Sequence, residues 1–176
     1  MNQEPSTAQV LKSDDFVAFF NAVVDFCAFM ESENAVEGRP FLKAVRGHLL
    51  SLYSQGTKLP MIDLQTSQEY EDRVDRSVFE GQRLRLAERL GEFRFYWHVF
   101  DPVNLEKTEA CCGDLLDDLH DMYVDLKRSV HLFQLEKPDC EALALWKFKF
   151  DFDFHWGDHC IHALGAVHYF LQMDVE

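Results

Sequence analysis

Apolar positions in the first half of the chain recur at intervals of three and four, the spacing of one buried helix face. Phe16, Phe19, Phe20, Val23, Val24, Cys27 and Met30 predict a helix that begins after Ser13, carries Asp14 and Asp15 in its first turn and ends near Glu33. A hydroxyl at the cap accepts from the unbonded amides of the first turn, and acids there complement the helix dipole. Gly38 and Arg39 interrupt the pattern, and Pro40 suits the first position of a second helix striped by Phe41, Val45, Leu49, Leu52 and Tyr53 and followed by Gly56. These two form a predicted antiparallel hairpin, followed by an apolar loop at residues 59–64. A third helix is predicted from Ser67 through Tyr70, Val74 and Val78, with an interruption at Gly81 and an end at Gly91.

Residues 93–101 (FRFYWHVFD) read as an aromatic connector closed by Pro102. A fourth main helix is expected over about residues 113–134, with Leu115, Leu119, Tyr123, Leu126, Val130 and Phe133 on its core side. Asp114, Asp118, Asp121 and Asp125 form a stripe about 60° wide beside that face. Residues 146–154 (WKFKFDFDF) pose a conflict, because Phe148, Phe150, Phe152 and Phe154 alternate with Lys and Asp as in a half-buried strand. A lone strand leaves its backbone groups unpaired, and the only other alternating stretch is 93–99. Ala142 to Leu145 form helix well, and no hairpin turn precedes the run. The expectation is therefore a continuous helix from about Asp139 to Gln172, buried because it is apolar on more than one side. The predicted fold is all-α: a flexible N-terminus at 1–12, then one antiparallel bundle of about five to six helices at 13–176, with a long, largely buried C-terminal helix.

At 176 residues, 47% hydrophobic and with 16 Phe, the chain is large and apolar enough for a single core without disulfides or metal staples. Asp and Glu outnumber Lys and Arg by 31 to 17, a formal charge of −14. That field repels phosphate backbones and anionic lipid, which argues against direct nucleic-acid or membrane binding and leaves a basic protein partner or cations open. Acidity that keeps a Phe-rich protein in solution is the plainer explanation. The odd set Cys27, Cys111, Cys112, Cys140 and Cys160 has no metal-finger spacing and reads as reduced thiols. The first residues show no basic and apolar leader, and no run reaches the ~18 apolar residues of a membrane span, so the expected location is cytoplasmic.

Candidate chemistry concentrates in His155-Trp156-Gly157-Asp158-His159-Cys160-Ile161-His162. On a continuous helix at about 100° per residue, His155, Asp158, His159 and His162 share an arc of roughly 100°. One reading is a divalent transition-metal site, with His155 and His159 chelating at i, i+4, Asp158 or His162 as a third ligand, and carboxylates from Asp118, Asp121 or Asp125. Such ligands suit zinc, iron, manganese or nickel better than calcium or magnesium. The other reading is a buried polar tie, in which His155 and His159 hydrogen-bond the aspartate stripe and Trp156 packs in the core. Neither the Glu-x-x-His pairs of di-iron bundles nor the His-Glu-x-x-His order of zinc proteases is present, which weakens a claim of catalysis.

The stretch from Phe150 to His168, read as F-x-F-x-F-H-W-G-x-H-x-x-x-A-L-x-x-x-H, resembles the C-terminal signature of an uncharacterised bacterial family of domains of unknown function. Asp118 to Lys127 is similar to its D-x-x-D-I-Y-x-D-L-K segment, with Met122 in place of Ile, and Phe26–Glu31 and Tyr96–Pro102 also fit. The likeness spans about residues 14 to 170 and implies an all-helical domain. It brings no activity, so no catalytic or cofactor-binding residue carries over. The function expected first is a small helical binding protein, regulatory or immunity-type, that meets a basic partner through its acidic surface. The alternative is a metal-binding protein or metal-dependent enzyme built on the His/Asp cluster.

Overall fold

A computed structural model of the chain describes residues 5–33, 36–64, 74, 76–99, 102–106, 109–135, 137 and 139–173. Among these run α1 (Thr7–Leu11), α2 (Asp14–Glu31), α3 (Gly38–Gly56), α4 (Arg76–Leu90), β1 (Phe95–Val99), β2 (Ala110–Asp114), α5 (Leu115–Phe133), α6 (Cys140–Phe154) and α7 (Trp156–Gln172). The all-helical expectation holds, with seven helices described rather than five or six. One addition is α1, in a segment where the sequence predicted no element: Ser6 and Gln9 form a capping box, and Val10 is buried. Ser67 and Tyr70, read as the start of the third helix, lie outside the described residues, as do Asp101 and Pro138.

Helix α2 begins as its sequence dictates, with Ser13 Oγ accepting from the Phe16 amide at 3.2 Å. Its other end is closed by α4. Arg89 donates to the Phe29 and Met30 carbonyls at 3.1 and 3.2 Å, and Gln82 Nε2 donates to Met30 as well. Both side chains are buried, and the Arg89 guanidinium lies 4.6 and 4.3 Å from the ring centres of Phe29 and Phe41. The last carbonyls of a helix have no partner within it, so two buried donors from a neighbour replace the missing cap. Arg39 closes α7 in the same way, donating to the carbonyls of Phe170, Leu171 and Met173 at 3.2, 2.7 and 2.9 Å.

Two sequence expectations are corrected. The aromatic connector at 93–101 contains a strand: β1 pairs antiparallel with β2, in the register Tyr96↔Gly113 and His98↔Cys111. The tip of the expected fourth helix is thus the end of β2, and Asp114 caps α5 by accepting from Leu116 N at 3.0 Å. Asp114 also takes a two-pronged ion pair from Arg94, at 2.9 and 2.7 Å, which fixes the hairpin to the head of α5. The second correction concerns the long C-terminal helix, which breaks at His155 (φ −150°, ψ −86°) into α6 and α7. Trp156, fully buried, sits 4.9 Å from the Phe152 ring and 6.3 Å from Phe19. Gly157 follows because the chain passes so close to the Phe152 carbonyl oxygen that a Cβ would collide with it.

Helix wins over strand at 146–154 because alternation at period two also satisfies the i, i+4 rule. Phe148 and Phe152 fall on the buried side, Phe150 and Phe154 on the outer one, and Lys147–Asp151 and Lys149–Asp153 pair at 2.6 and 2.7 Å. The core then assembles around α7, which packs against α3 and α5, with α6 along α5 and α2 on α3. No helix among the described residues is long and apolar enough to cross a membrane.

A candidate metal centre at the break between the last two helices

Spacing of three and four along α5 turns Asp118, Asp121 and Asp125 toward the break at His155. The break brings His155, the residue before α7, over Asp125: Nδ1 lies 2.6 Å from Asp125 Oδ2. One turn on, His159 Nδ1 lies 2.9 Å from Asp118 Oδ1. Asp118 is buried and accepts a second bond on Oδ2 from the Tyr96 hydroxyl at 2.5 Å. Gly113, the register partner of Tyr96, makes room for that ring, since a Cβ there would lie 2.5 Å from Cζ. Burial, reinforced by the bond to Asp118, pushes the Tyr96 phenol up, so the hydroxyl stays a donor.

Asp121 lies beside His159 and His120. Its Oδ2 is 3.8 Å from His159 Nε2, and its Oδ1 is 3.7 Å from His120 Nδ1. The rings of His155 and His159 meet edge to face with centres 4.9 Å apart. One ligand atom from each of Asp121, His155 and His159 lies within 4.8 Å of the others. Ligand atoms around a tetrahedral ion with ~2.1 Å bonds are about 3.4 Å apart, so side-chain shifts of roughly an ångström close the set.

The electrostatics follow from this crowding. The hydrogen bond to Asp118 raises the His159 imidazole above 6.5, assisted by the charges of Asp118, Asp121 and Asp117 and opposed by burial. Asp121 is held below the ordinary carboxylate value, first by the adjacent His120 imidazole and then by the charges of His159 and His155, with burial opposing. A cation near Asp121 therefore meets a carboxylate that is ionised at neutral pH.

Five of the seven sequence-derived candidates converge here: Asp118, Asp121, Asp125, His155 and His159. Asp158 and His162 do not join them. Asp158 is exposed in the first turn of α7, where an acid suits the helix dipole. His162 turns toward the hairpin, its ring 4.4 Å from that of His98. Sequence reasoning missed Tyr96, His98 and His120; for the first two, the alternation at 93–99 was the available signal.

Fold and site together define a mostly helical single domain with an imidazole–carboxylate cluster at a helix break. A family model described as Domain of unknown function (DUF5063) matches residues 11–172. The chain belongs to this family, as the resemblance in its motifs implied. The crystal structure of protein BF1032 from Bacteroides fragilis is similar to it, with 25% sequence identity and a TM-score of 0.78 over 94% of this chain and 100% of that one. No curated protein matches the chain.

Proposed function

We propose that this chain is a metal-binding protein, in which Asp121, His155 and His159 hold a divalent transition ion. The observation that carries the reading is the way both rings are turned. Asp125 and Asp118 each take up an Nδ1, so Nε2 is the nitrogen that each imidazole has to offer an ion beside Asp121. A carboxylate on the far nitrogen fixes the tautomer and raises the basicity of a ligating histidine. The polar tie between α5 and α7 and the metal site are thus one construction, because the tie uses the nitrogens that the ion does not. Two imidazoles and a carboxylate suit zinc, iron, manganese or nickel. His155 is about half exposed, which leaves a path for the ion and open positions on it.

Metal analysis of untagged protein and calorimetric titration with Zn²⁺ test this. Binding near one equivalent, lost in His159→Ala and Asp121→Asn, is the expected result. Absence of saturable binding by folded protein, or binding unchanged in both variants, overturns it.

A second reading, docking to a basic protein partner, draws on a different observation. Phe95, Trp97, Val103 and Leu105 of the hairpin and its connection are 60, 75, 86 and 86% exposed on a chain of charge −14. Its test is co-purification from the native host at moderate salt, with Leu105→Asp as control. A stoichiometric basic partner lost in the variant supports docking, and a clean monomer in both preparations counts against it.

A further inference from the structure

A cavity of about 380 Å³ opens between β1 and α7. Its walls include Trp97 and His98 from β1 and His162, Gly165 and Tyr169 from α7. The volume falls in the range of small-molecule sites, about 300–1,000 Å³. Two large rings line it without being used by the fold, since Trp97 and Tyr169 are 75 and 73% exposed. At Gly165 no heavy atom lies within 4 Å of the place a Cβ would take, so the helix wall is open there.

Polarity in the groove comes from two imidazoles. His98 and His162 lie side by side, their ring centres 4.4 Å apart. His98 Nδ1 is buried and has no hydrogen-bond partner among the described residues. That nitrogen therefore has no hydrogen bond to give up when the ring turns toward a ligand. The remainder of the lining is mainly apolar, and the chain's −14 charge disfavours an anion.

We propose that this groove binds an uncharged planar aromatic molecule carrying a ring N–H or O–H group, of the indole, phenol or purine-base type. The aromatic walls take its faces, and the paired imidazoles of His98 and His162 take its polar edge. The inference does not rest on the metal reading, because none of Asp121, His155 and His159 lines the cavity.

Amide spectra of ¹⁵N-labelled protein titrated with indole, and separately with cyclohexanol and indole-3-carboxylate, provide the test. Saturable shifts with indole confined to residues of β1 and α7, and much weaker binding of the other two, are expected. Gly165→Phe fills the groove and should abolish the shifts, while His98→Phe should weaken binding about fivefold, the loss of one hydrogen bond. Trp97→Ala, at an exposed position that leaves folding untouched, should weaken it about tenfold through lost stacking. Failure of indole to saturate, equal binding of cyclohexanol, or unchanged binding in both Gly165→Phe and Trp97→Ala overturns the proposal.

Discussion

His155 Nδ1 and Asp125 Oδ2 meet at 2.6 Å across the break between α6 and α7, thirty residues apart in the chain. The break itself makes the meeting possible. A helix running straight through His155 would keep that side chain in register with His159 and His162, whereas the non-helical backbone there (φ −150°, ψ −86°) leaves its ring on Asp125 of α5. The same relationship recurs between His159 and Asp118, which gives the cluster two imidazoles held by two carboxylates.

The orienting carboxylates should matter to an ion they do not touch. Asp125→Asn and Asp118→Asn are expected to lower Zn²⁺ affinity about 10- to 100-fold, the usual effect of removing a histidine's outer partner. Calorimetry on both variants measures this. Asp118→Asn should also lose stability, because the buried carboxylate accepts from His159 and Tyr96 together. Affinities equal to wild type would detach the aspartates from the site.

Gly157→Ala probes the break directly. A methyl group there collides with the Phe152 carbonyl oxygen, so α7 has to shift. Overpacking of this kind costs about 1–3 kcal/mol, and because His159 rides on the displaced turn, Zn²⁺ affinity should fall as well. Urea unfolding and metal titration of the same preparation give both numbers. A stable variant with wild-type affinity would mean the close approach has no consequence.

Arg89→Met keeps most of the apolar stem between Phe29 and Phe41 but removes the donors that close α2. The expected cost is about 2–4 kcal/mol, from carbonyls left unsatisfied in the core. Chemical denaturation measures it, and a change below about 0.5 kcal/mol, the size of an ordinary surface substitution, would show that water or Gln82 suffices.

His162 gives the fold a defined response to acid. Burial first, then the charges of His98 and His159, hold it below 6.5, while Asp118 and Asp158 pull the other way. The unfolded chain takes a proton near 6.5 that the folded chain refuses, so stability is complete above that value and falls as pH drops through it. His159 has the opposite sign, with its contribution present below 6.5 and lost as pH rises through its raised value. Wild type should therefore lose stability relative to His162→Gln as pH is lowered from about 7 to about 5. Unfolding curves across that range check it, and a constant difference contradicts it.

The parts of this structure that are local in origin could be read from the sequence. Ser13 caps α2, the Leu115–Leu119–Tyr123–Leu126 face of α5 is buried, and Asp118, Asp121 and Asp125 lie together where spacing put them, while Asp114, expected in the same stripe, caps the helix from the end of β2. Strand β2 could not be read, because Ala110-Cys111-Cys112-Gly113-Asp114 has no alternation of its own and is a strand only through its pairing with β1. At the break, Gly157 is the one local signal, and it sits where Trp156 is buried against Phe152 and Phe19. Helical arithmetic placed His162 with His155 and His159, whereas its ring meets that of His98 on the hairpin, a strand the sequence did not reveal.

X-ray absorption at the zinc edge of untagged protein loaded with Zn²⁺ tests the proposed metal centre at Asp121, His155 and His159. The expected spectrum has a shell of nitrogen and oxygen at about 2.0–2.1 Å with the multiple scattering of two imidazoles, reduced to one in His159→Ala. A shell containing sulfur, as from Cys111 and Cys112, or one with imidazole scattering unchanged in His159→Ala, would contradict it.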